Sequence, residues 1–569
     1  MTEISKDFEE KRKRLLMRRT ALTTERSSWI TQYMEASRFI LPRAGRFNET
    51  EVNRGTKKNQ AIYDSTGTFA LRTLAAGMMS GMTSPARPWF RLALADKELM
   101  EFGPVKQWLH DVAELMRAVF ASSNTYNALH SCYEELGTFG TWCNFVLPDF
   151  NNVLRHMPFT AGEYALGTDN HGVVNAMVRE FQMTVAQLVE QFGEANCSTA
   201  VRNLYQRGTL DAWVRVIHII EPRAHVDTTK KDNKAMPFAS IYMEAGSNEG
   251  RFLSESGFKR FPALCPRWVV TANDTYGRSP GMDALPDIKQ LQHEQLKKAR
   301  AIDLQVDPPL QAPTMMKDHQ NFRMPGGVSY YDGVGPGAGV RTAYEVNLRL
   351  DYLLADIQDV RERINRCFYT DLFLMVADDQ RSGVTATEIA AKNEEKLIQL
   401  GPVLERLQNE LLKPLIDITF DRLVEANIPL VMNPPDELRG LDLDIEFVST
   451  LAQAQRAVAT SGMDRLLTTV GNLAAAKQDP GVWDKVDVDQ AIDEYANAYG
   501  VAPSIVVPDD KVTAAREQRA QQMAAQQAAA AAPAMADAAR TAGDVNIDGL
   551  RDVMGGLTGY NTPTPGAAA

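Results

Sequence analysis

Cysteine is scarce and scattered in this 569-residue chain: Cys132, Cys143, Cys197, Cys265 and Cys367, an odd number with no C-x-x-C spacing. That excludes a disulfide framework or thiolate zinc site and reads as reduced, buried thiols in a cytosolic setting. No run approaches ~18 consecutive apolar residues, so neither a transmembrane span nor a membrane partner is expected. The charged start is not followed by an apolar stretch, which reads as no signal peptide. Excess positive charge is also missing. The formal net charge is −11, which excludes a general nucleic-acid glue but not DNA that must slide past without sticking.

Signatures of chemistry are missing too. There is no G-x-x-x-x-G-K-[ST], no G-x-G-x-x-G after a strand and no G-x-S-x-G, so no phosphate cradle or nucleophile elbow can be argued. His293-Glu294 opens like a zinc-protease motif, but Lys297 stands where a second His is needed. The acidic group Asp484, Asp487, Asp489, Asp493 and Glu494 lacks the Gly and closing Glu of a calcium loop and reads as an Asp-rich helix start. The eight His are dispersed without ligand spacing. We expect no catalytic residue, no cofactor, no metal and no enzyme activity.

What is present is a helical hairpin. An incoming arm over about 281–305 carries Leu285, Ile288, Leu291, Leu296, Ala299 and Ile302. An outgoing arm over about 344–369 carries Val346, Leu350, Leu353, Ile357, Val360, Ile364 and Cys367, spaced 4,3,4,3,4,3. That is a heptad seam, one narrow apolar stripe offered to neighbouring helices. Between the arms, 306–343 holds six Gly and five Pro in 38 residues and reads as turns and short strands. Two helices closed by an irregular module point to a subunit that packs beside copies of itself.

Around the hairpin the period changes. Residues 1–40 read as a helix with the basic run Lys11, Arg12, Lys13, Arg14, Arg18 and Arg19, either a solvated face or a phosphate contact. Residues 61–84 show helical spacing, with Gly77 and Gly81 permitting close approach, and 89–94 reads as a short strand. Residues 104–140 give two helices ending at Gly137 and Gly140. From 142 to about 270 the period is two, a β-rich middle with a hairpin turn over 247–250 and one helix near 184–192. A long helix starts at a Thr385/Glu388 capping box, with Gly401-Pro402 and Pro414 expected to kink or break it. A strand over 443–448 and helices over 450–476 and 487–499 follow. From Lys511 to Arg540 there are 14 Ala and five Gln in 30 residues, a surface helix, and 541–569 reads as flexible.

The run QAIYDSTGTFALRTLAAGMMSGMTSPARPWFRL (60–92) resembles the head-to-tail connector (portal) proteins of short-tailed, T7-like bacteriophages. So do MPFTAGEYALGTDNHGVVNAMVREFQMT (157–184), YGRSPGMDALPDIKQLQ (276–292) and TATEIAAKNEEKLIQLGPVLERLQNELLKPLI (385–416). The likeness spans about 5–510. It implies a mainly α, α+β portal fold of wing, stem, clip and crown, assembled as a ring, usually of twelve copies. The expected divisions are a wing with N-terminal helices and β-rich middle (1–272), stem helix 1 (273–305), the clip (306–343) and stem helix 2 (344–369). A channel loop (370–384), a long wing helix and return (385–445), a crown (446–510) and the Ala-rich helix and tail (511–569) complete it.

The resemblance also implies a place and partners. The ring would sit at one capsid vertex of the virion, assembled in the host bacterial cytoplasm. It would contact the terminase large subunit, a tail adaptor or head-completion protein, major capsid and scaffolding proteins, and double-stranded DNA passing without sequence specificity. Asp378, Asp379 and Arg381 are channel-loop candidates. Val346, Leu350, Leu353, Ile357, Val360 and Ile364 are expected as ring contacts, so that Leu353→Asp with Ile357→Asp should block ring assembly and leave most secondary structure intact. Lys289, Lys297, Lys298 and Arg300 face either DNA backbone or a neighbouring subunit. A non-channel minor capsid or scaffold protein, or a packaging enzyme subunit, are the alternatives.

Overall fold

The computed structural model describes residues 3–47, 58–96, 99–100, 102–224, 226, 232–247, 251–308, 310–314, 328–332, 341–342, 351–377, 400–438, 443–448, 450–477, 480–499, 505–507 and 511–526. Helices outweigh strands, and the β-rich middle stands where the period-two pattern placed it. Helix α1 (Glu3–Phe39) opens the chain. Helix α2 (Thr66–Met82), strand β1 (Phe90–Ala93), α3 (Gly103–Ser122) and α4 (Thr125–Phe139) follow.

Strands β2 (Cys143–Asp149) and β3 (Val153–Phe159) form an antiparallel hairpin, widened by the later β9 (Ala263–Leu264). Strands β4 (Tyr164–Thr168), β5 (Val174–Thr184), β6 (Trp213–Pro222), β7 (Phe238–Glu244) and β8 (Ser254–Phe258) make a five-stranded antiparallel meander. Its alternation serves two layers. Val178, Ile217, Ile219, Ile241 and Met243 pack with Leu15 and Leu22 of α1. Leu166, Met177 and Ile220 turn to the other side, against Cys143 and Phe145 of β2. Because both faces are covered, the strand centres read as runs of buried residues rather than a wet-and-dry alternation. Between β5 and β6 two short helices, α5 (Val185–Phe192) and α6 (Thr199–Gln206), stand on the edge. The first begins in a capping box of Thr184 and Gln187; the second was not foreseen from the sequence.

The basic run of α1 is split: Lys13, Arg14 and Arg18 stay exposed, as a solvated face would have it, while part of the run is tied to the sheet. Lys11 pairs with Glu255, Arg14 with Glu221 at 2.6 Å, and Arg19 with Glu180, all on the meander. Opposite charges from residues about 160–240 positions away decide this, and no local pattern could show them.

Helix α7 (Pro280–Val306) runs antiparallel to α8 (Asp351–Cys367), which leads into α9 (Thr370–Ala377). Between them β10 (Leu310–Pro313) pairs with β11 (Val328–Tyr331) in parallel and with β12 (Arg341–Thr342) antiparallel. A further helix, α10, is described over 400–425, with Pro402 in its first described turn. It contains a π-turn over Gln408–Leu412 closed by the Lys413 N–H on the Gln408 carbonyl. Pro414 follows at once and has no N–H to donate, so the widened turn accommodates it. The strand β13 (Asp444–Phe447) returns to pair with β1. The chain then continues in α11 (Pro429–Met432, just before that strand), α12 (Thr450–Lys477), α13 (Val488–Tyr499) and a helix over 511–526.

One core joins the helices. Leu71, Leu74, Leu136, Ile288, Val360, Ile364, Leu404 and Leu411 are buried in it together. Gly77 of α2 permits close approach, as the spacing indicated. A methyl at Gly77 would overlap the Phe373 ring, and one at Gly67 would lie 2.9 Å from Ile288. Gly137 does not end α4. It lies inside the helix because Leu71 occupies the space a side chain would need. Gly140 does end it, at φ +74 in the left-handed region.

Candidate functional site: a clamped helical hairpin

The base of the hairpin is set by the end of α4. Ser279 caps α7 by accepting the Met282 N–H at 2.9 Å while its hydroxyl donates to the Thr138 carbonyl at 2.8 Å. Thr141 accepts the Gly277 N–H at 2.7 Å, and the Gly140 and Gly277 backbones touch so closely that neither tolerates a Cβ. These contacts fix the start of α7, whose first half stays buried as far as Glu294.

Asp64 then binds both arms. One carboxylate oxygen accepts the Thr66 N–H at 2.9 Å and the Thr66 hydroxyl. The other accepts Gln295 at 2.9 Å and Arg361 through Nη2 at 2.7 Å and Nε at 3.2 Å. Gln292 completes the join: its Oε1 accepts the Tyr63 and Asp64 N–H groups and its Nε2 donates to the Asp64 carbonyl at 2.9 Å. The Asp64 side chain is 7% exposed. Burial alone would raise its carboxyl, but hydrogen bonds from Thr66 and Arg361 outweigh that and hold it below the ordinary carboxylate range. Arg363 meets Asp287 at 3.5 Å and Lys289 meets Glu35 at 2.6 Å around the same collar. The sequence reading missed Asp64, Gln292 and Arg361. The available signal was Asp64-Ser65-Thr66 directly ahead of α2, an Asp placed to take the Thr66 N–H.

A second clasp holds α10. The Arg267 side chain, 4% exposed, reaches Glu410 through Nη2 to Oε1 at 2.7 Å and Nε to Oε2 at 3.2 Å. Its backbone N–H also donates to Glu410 Oε2 at 2.9 Å, and Nη2 donates to the Gly172 carbonyl at 2.8 Å. Glu410 lies inside the π-turn. The irregular turn thus presents the carboxylate that ties α10 to the segment leading into α7.

The heptad seam is real, but its use differs from the expectation. Ile357, Val360 and Ile364 are 2%, 0% and 0% exposed within the chain's own core, and Leu353 packs against it half-buried. Ile357, Val360 and Ile364 are covered by their own subunit and are not open to a neighbour. Asp at 357 would therefore unpack the hairpin itself rather than only block assembly, since an unpaired buried charge costs several kcal/mol. Val346 and Leu350 lie outside the described residues, as do Asp378, Asp379, Arg381 and the Thr385/Glu388 box. Of the four basic candidates, Lys289 is engaged by Glu35, Lys297 and Arg300 are exposed, and Lys298 is half-buried.

The acidic group near α13 is a helix start. Asp487 accepts the Asp489 and Gln490 N–H groups at 3.1 Å, and Asp489 takes a two-point pair from Arg516. All five cysteines are free thiols, four buried and Cys367 half-buried. The Cys265 thiol donates to the Cys143 sulfur at 3.5 Å, with no disulfide between them. No helix among the described residues is long and apolar enough to cross a membrane.

The family model of bacteriophage head to tail connecting proteins matches residues 12–506. The chain belongs to this family. A probable portal protein of Bordetella phage BPP-1 is 53% identical over 552 residues, covering 96% of this chain and 99% of that one. The portal protein of Salmonella phage epsilon15 is 43% identical over 534 residues, 94% and 95% of the two chains. A chain from the neck of an empty gene transfer agent particle is similar over 78% of this connector and 95% of its own length, at 12% identity and a TM-score of 0.32, too slight a likeness to argue from. The resemblance read from residues 60–92 and the three later stretches therefore holds along nearly the whole connector chain.

Proposed function

We propose that copies of this chain close into a ring at one capsid vertex, through whose axis double-stranded DNA enters during packaging and leaves during ejection. The chain acts as a conduit and docking platform without catalysis of its own. In this reading α7 and α8 are the stem, 306–343 the clip, and the N-terminal helices with the β-rich middle the wing. Helix α10 is the long wing helix, 370–384 the channel loop, and α12 with α13 the crown. The clip faces the terminase large subunit and later the tail adaptor, and the wing meets capsid and scaffolding proteins.

The observation that carries the reading is the clamped hairpin within a chain of this family. Its apolar seam is satisfied internally and Asp64 fixes both arms to the body. The hairpin is therefore a spoke whose seam is already filled. Its remaining surface mixes charged residues with the exposed Ile302, Val306, Tyr352 and Leu354, and it is suited to standing beside identical spokes around a wet channel. The net charge of −11 per copy favours passage over grip, because each cationic phosphate contact adds counterion-release affinity. Electron microscopy of the purified chain tests this. Rings with an axial hole are expected, whereas monomers at high concentration, or ATP turnover, would refute it.

A further inference from the structure

Cys143 begins β2, and Cys265 follows the two-residue strand β9, 122 positions later. The antiparallel register pairs Asn144 with Leu264 and Phe145 with Ala263, which sets Cys143 directly opposite Cys265. Trp142 donates its N–H to the Pro266 carbonyl, and Val146 donates to the Pro262 carbonyl. By alternation the hydrogen-bonded positions of this ladder are 142, 144 and 146. Cys143 and Cys265 form a pair of the other kind, in which the Cα atoms approach to about 4.5 Å. A disulfide needs roughly 4.4–6.8 Å between those atoms. The sulfurs are 3.5 Å apart and must close to about 2.05 Å, a shift within the reach of side-chain rotation.

Both thiols lie in the layer between β2 and the meander, 0% and 5% exposed. Burial pushes the Cys143 thiol well above its ordinary value, and its hydrogen goes to the Met177 sulfur at 3.5 Å. While the ladder is closed the pair is therefore protonated and slow to react. The ladder has a weak side. Strand β9 is the outer strand of its sheet, and it is bracketed by Pro262 and Pro266, neither of which has an N–H to donate. Opening of so short an edge is a local event that admits a small oxidant. The other cysteines stand elsewhere, Cys132 and Cys367 in the helical core and Cys197 with α5 and α6.

We propose that Cys143 and Cys265 are a latent cross-strand disulfide, closed by a small peroxide, that staples the strap carrying the hairpin to the β-rich body. One thiolate takes an oxygen from hydrogen peroxide: the O–O bond breaks, an S–O bond forms, and the departing hydroxide is protonated to water. The second thiolate attacks that sulfenic sulfur, the S–S bond forms and a second water leaves. Two electrons pass from the sulfurs to the peroxide, and both thiol protons end in water. The strap runs from Cys265 through Arg267, which clasps Glu410, to Ser279, which caps α7. A covalent tie two residues before Arg267 fixes the mount of the hairpin. Reducing surroundings leave the pair open, and peroxide closes it. The staple depends on this fold alone and not on the ring.

Full-length folded protein treated with hydrogen peroxide, alkylated with iodoacetamide and digested without reductant should yield two peptides joined through Cys143 and Cys265. Closure should quicken with rising pH, because the thiolate is the attacking form. Hydrogen exchange of residues 263–279 should slow at least about tenfold on oxidation and return to its starting rate with dithiothreitol. In Cys265→Ala the joined peptides should be absent and peroxide should leave that exchange unchanged. Should this variant fail to fold, reversal by dithiothreitol in the wild type is the same control. A link that forms only in denaturant, or sulfinic acid at either cysteine in place of the link, would overturn the proposal. So would a joined pair that leaves residues 263–279 exchanging as before.

Discussion

Replacing Asp64 by Ala removes the group on which α2, α7 and α8 converge. The loss is the Thr66 cap and the bonds from Gln295 and Arg361. Hydrogen bonds to a charged group contribute roughly 1.5–3 kcal/mol each. Arg361 is 39% exposed and regains water when released, so its share is discounted. Removing the carboxylate also removes the cost of burying it, the largest single influence on Asp64, so the net loss is about 2–3 kcal/mol, or roughly 30- to 150-fold more frequent opening of the hairpin base. In a chain of this length a single unfolding free energy is poorly defined, so the readout is hydrogen exchange of the α7 and α8 amides.

Protonation supplies an independent check on Asp64. Its folded value is depressed, so its contribution is present above the unfolded value of about 3.9 and fades as pH falls through the folded one. The difference between wild type and Asp64→Asn should therefore shrink at acid pH. Exchange in the Asp64→Ala hairpin within about twofold of wild type would refute the clamp, since that corresponds to less than about 0.5 kcal/mol.

Glu135 is buried, and burial pushes its carboxyl up to about 8 against the hydrogen bonds from Thr160 and Ala161. The folded chain then holds a proton that the unfolded chain releases, so stability should fall by up to about 1.4 kcal/mol per pH unit from 4.5 to 8. Thermal melts of Glu135→Gln should lack this decline, and parallel slopes for the two proteins would contradict it. Gly77→Val should force the Phe373 ring away, costing about 1–3 kcal/mol by overpacking, read as faster exchange across α2 and α9. Ile357→Ala should cost about 2–5 kcal/mol through the cavity it leaves. Lys289→Ala, which breaks an ion pair with Glu35 whose members are 40% and 45% exposed, should cost under about 1 kcal/mol; equal effects from these two would deny the burial ranking.

Much of this architecture was legible from local pattern. Period-two spacing marked the β-rich middle, and the 4,3 spacing marked α8, because a side chain's direction follows directly from backbone geometry. The turn-rich insert between the arms does hold short strands. The family likeness was legible as well, in stretches long enough to hold over nearly the whole chain. The clamps were not. Asp64 meets Gln295 and Arg361, and Arg267 meets Glu410, across gaps of 143 to 297 residues. Nothing local distinguishes those side chains from ordinary surface polars. The π-turn escaped for a related reason. Pro402 and Pro414 announce that a helix must adjust, but the turn that absorbs the adjustment and aims Glu410 at Arg267 depends on what the helix packs against.

By itself the sequence determined that residues 344–369 carry an apolar stripe seeking a partner. Only the tertiary structure decided that α7 and the chain's own core cover Ile357, Val360 and Ile364. That left the remaining surface of the hairpin to meet whatever stands beside it. Periodicity records that a face must be hidden from water; it carries no information about which surface hides it.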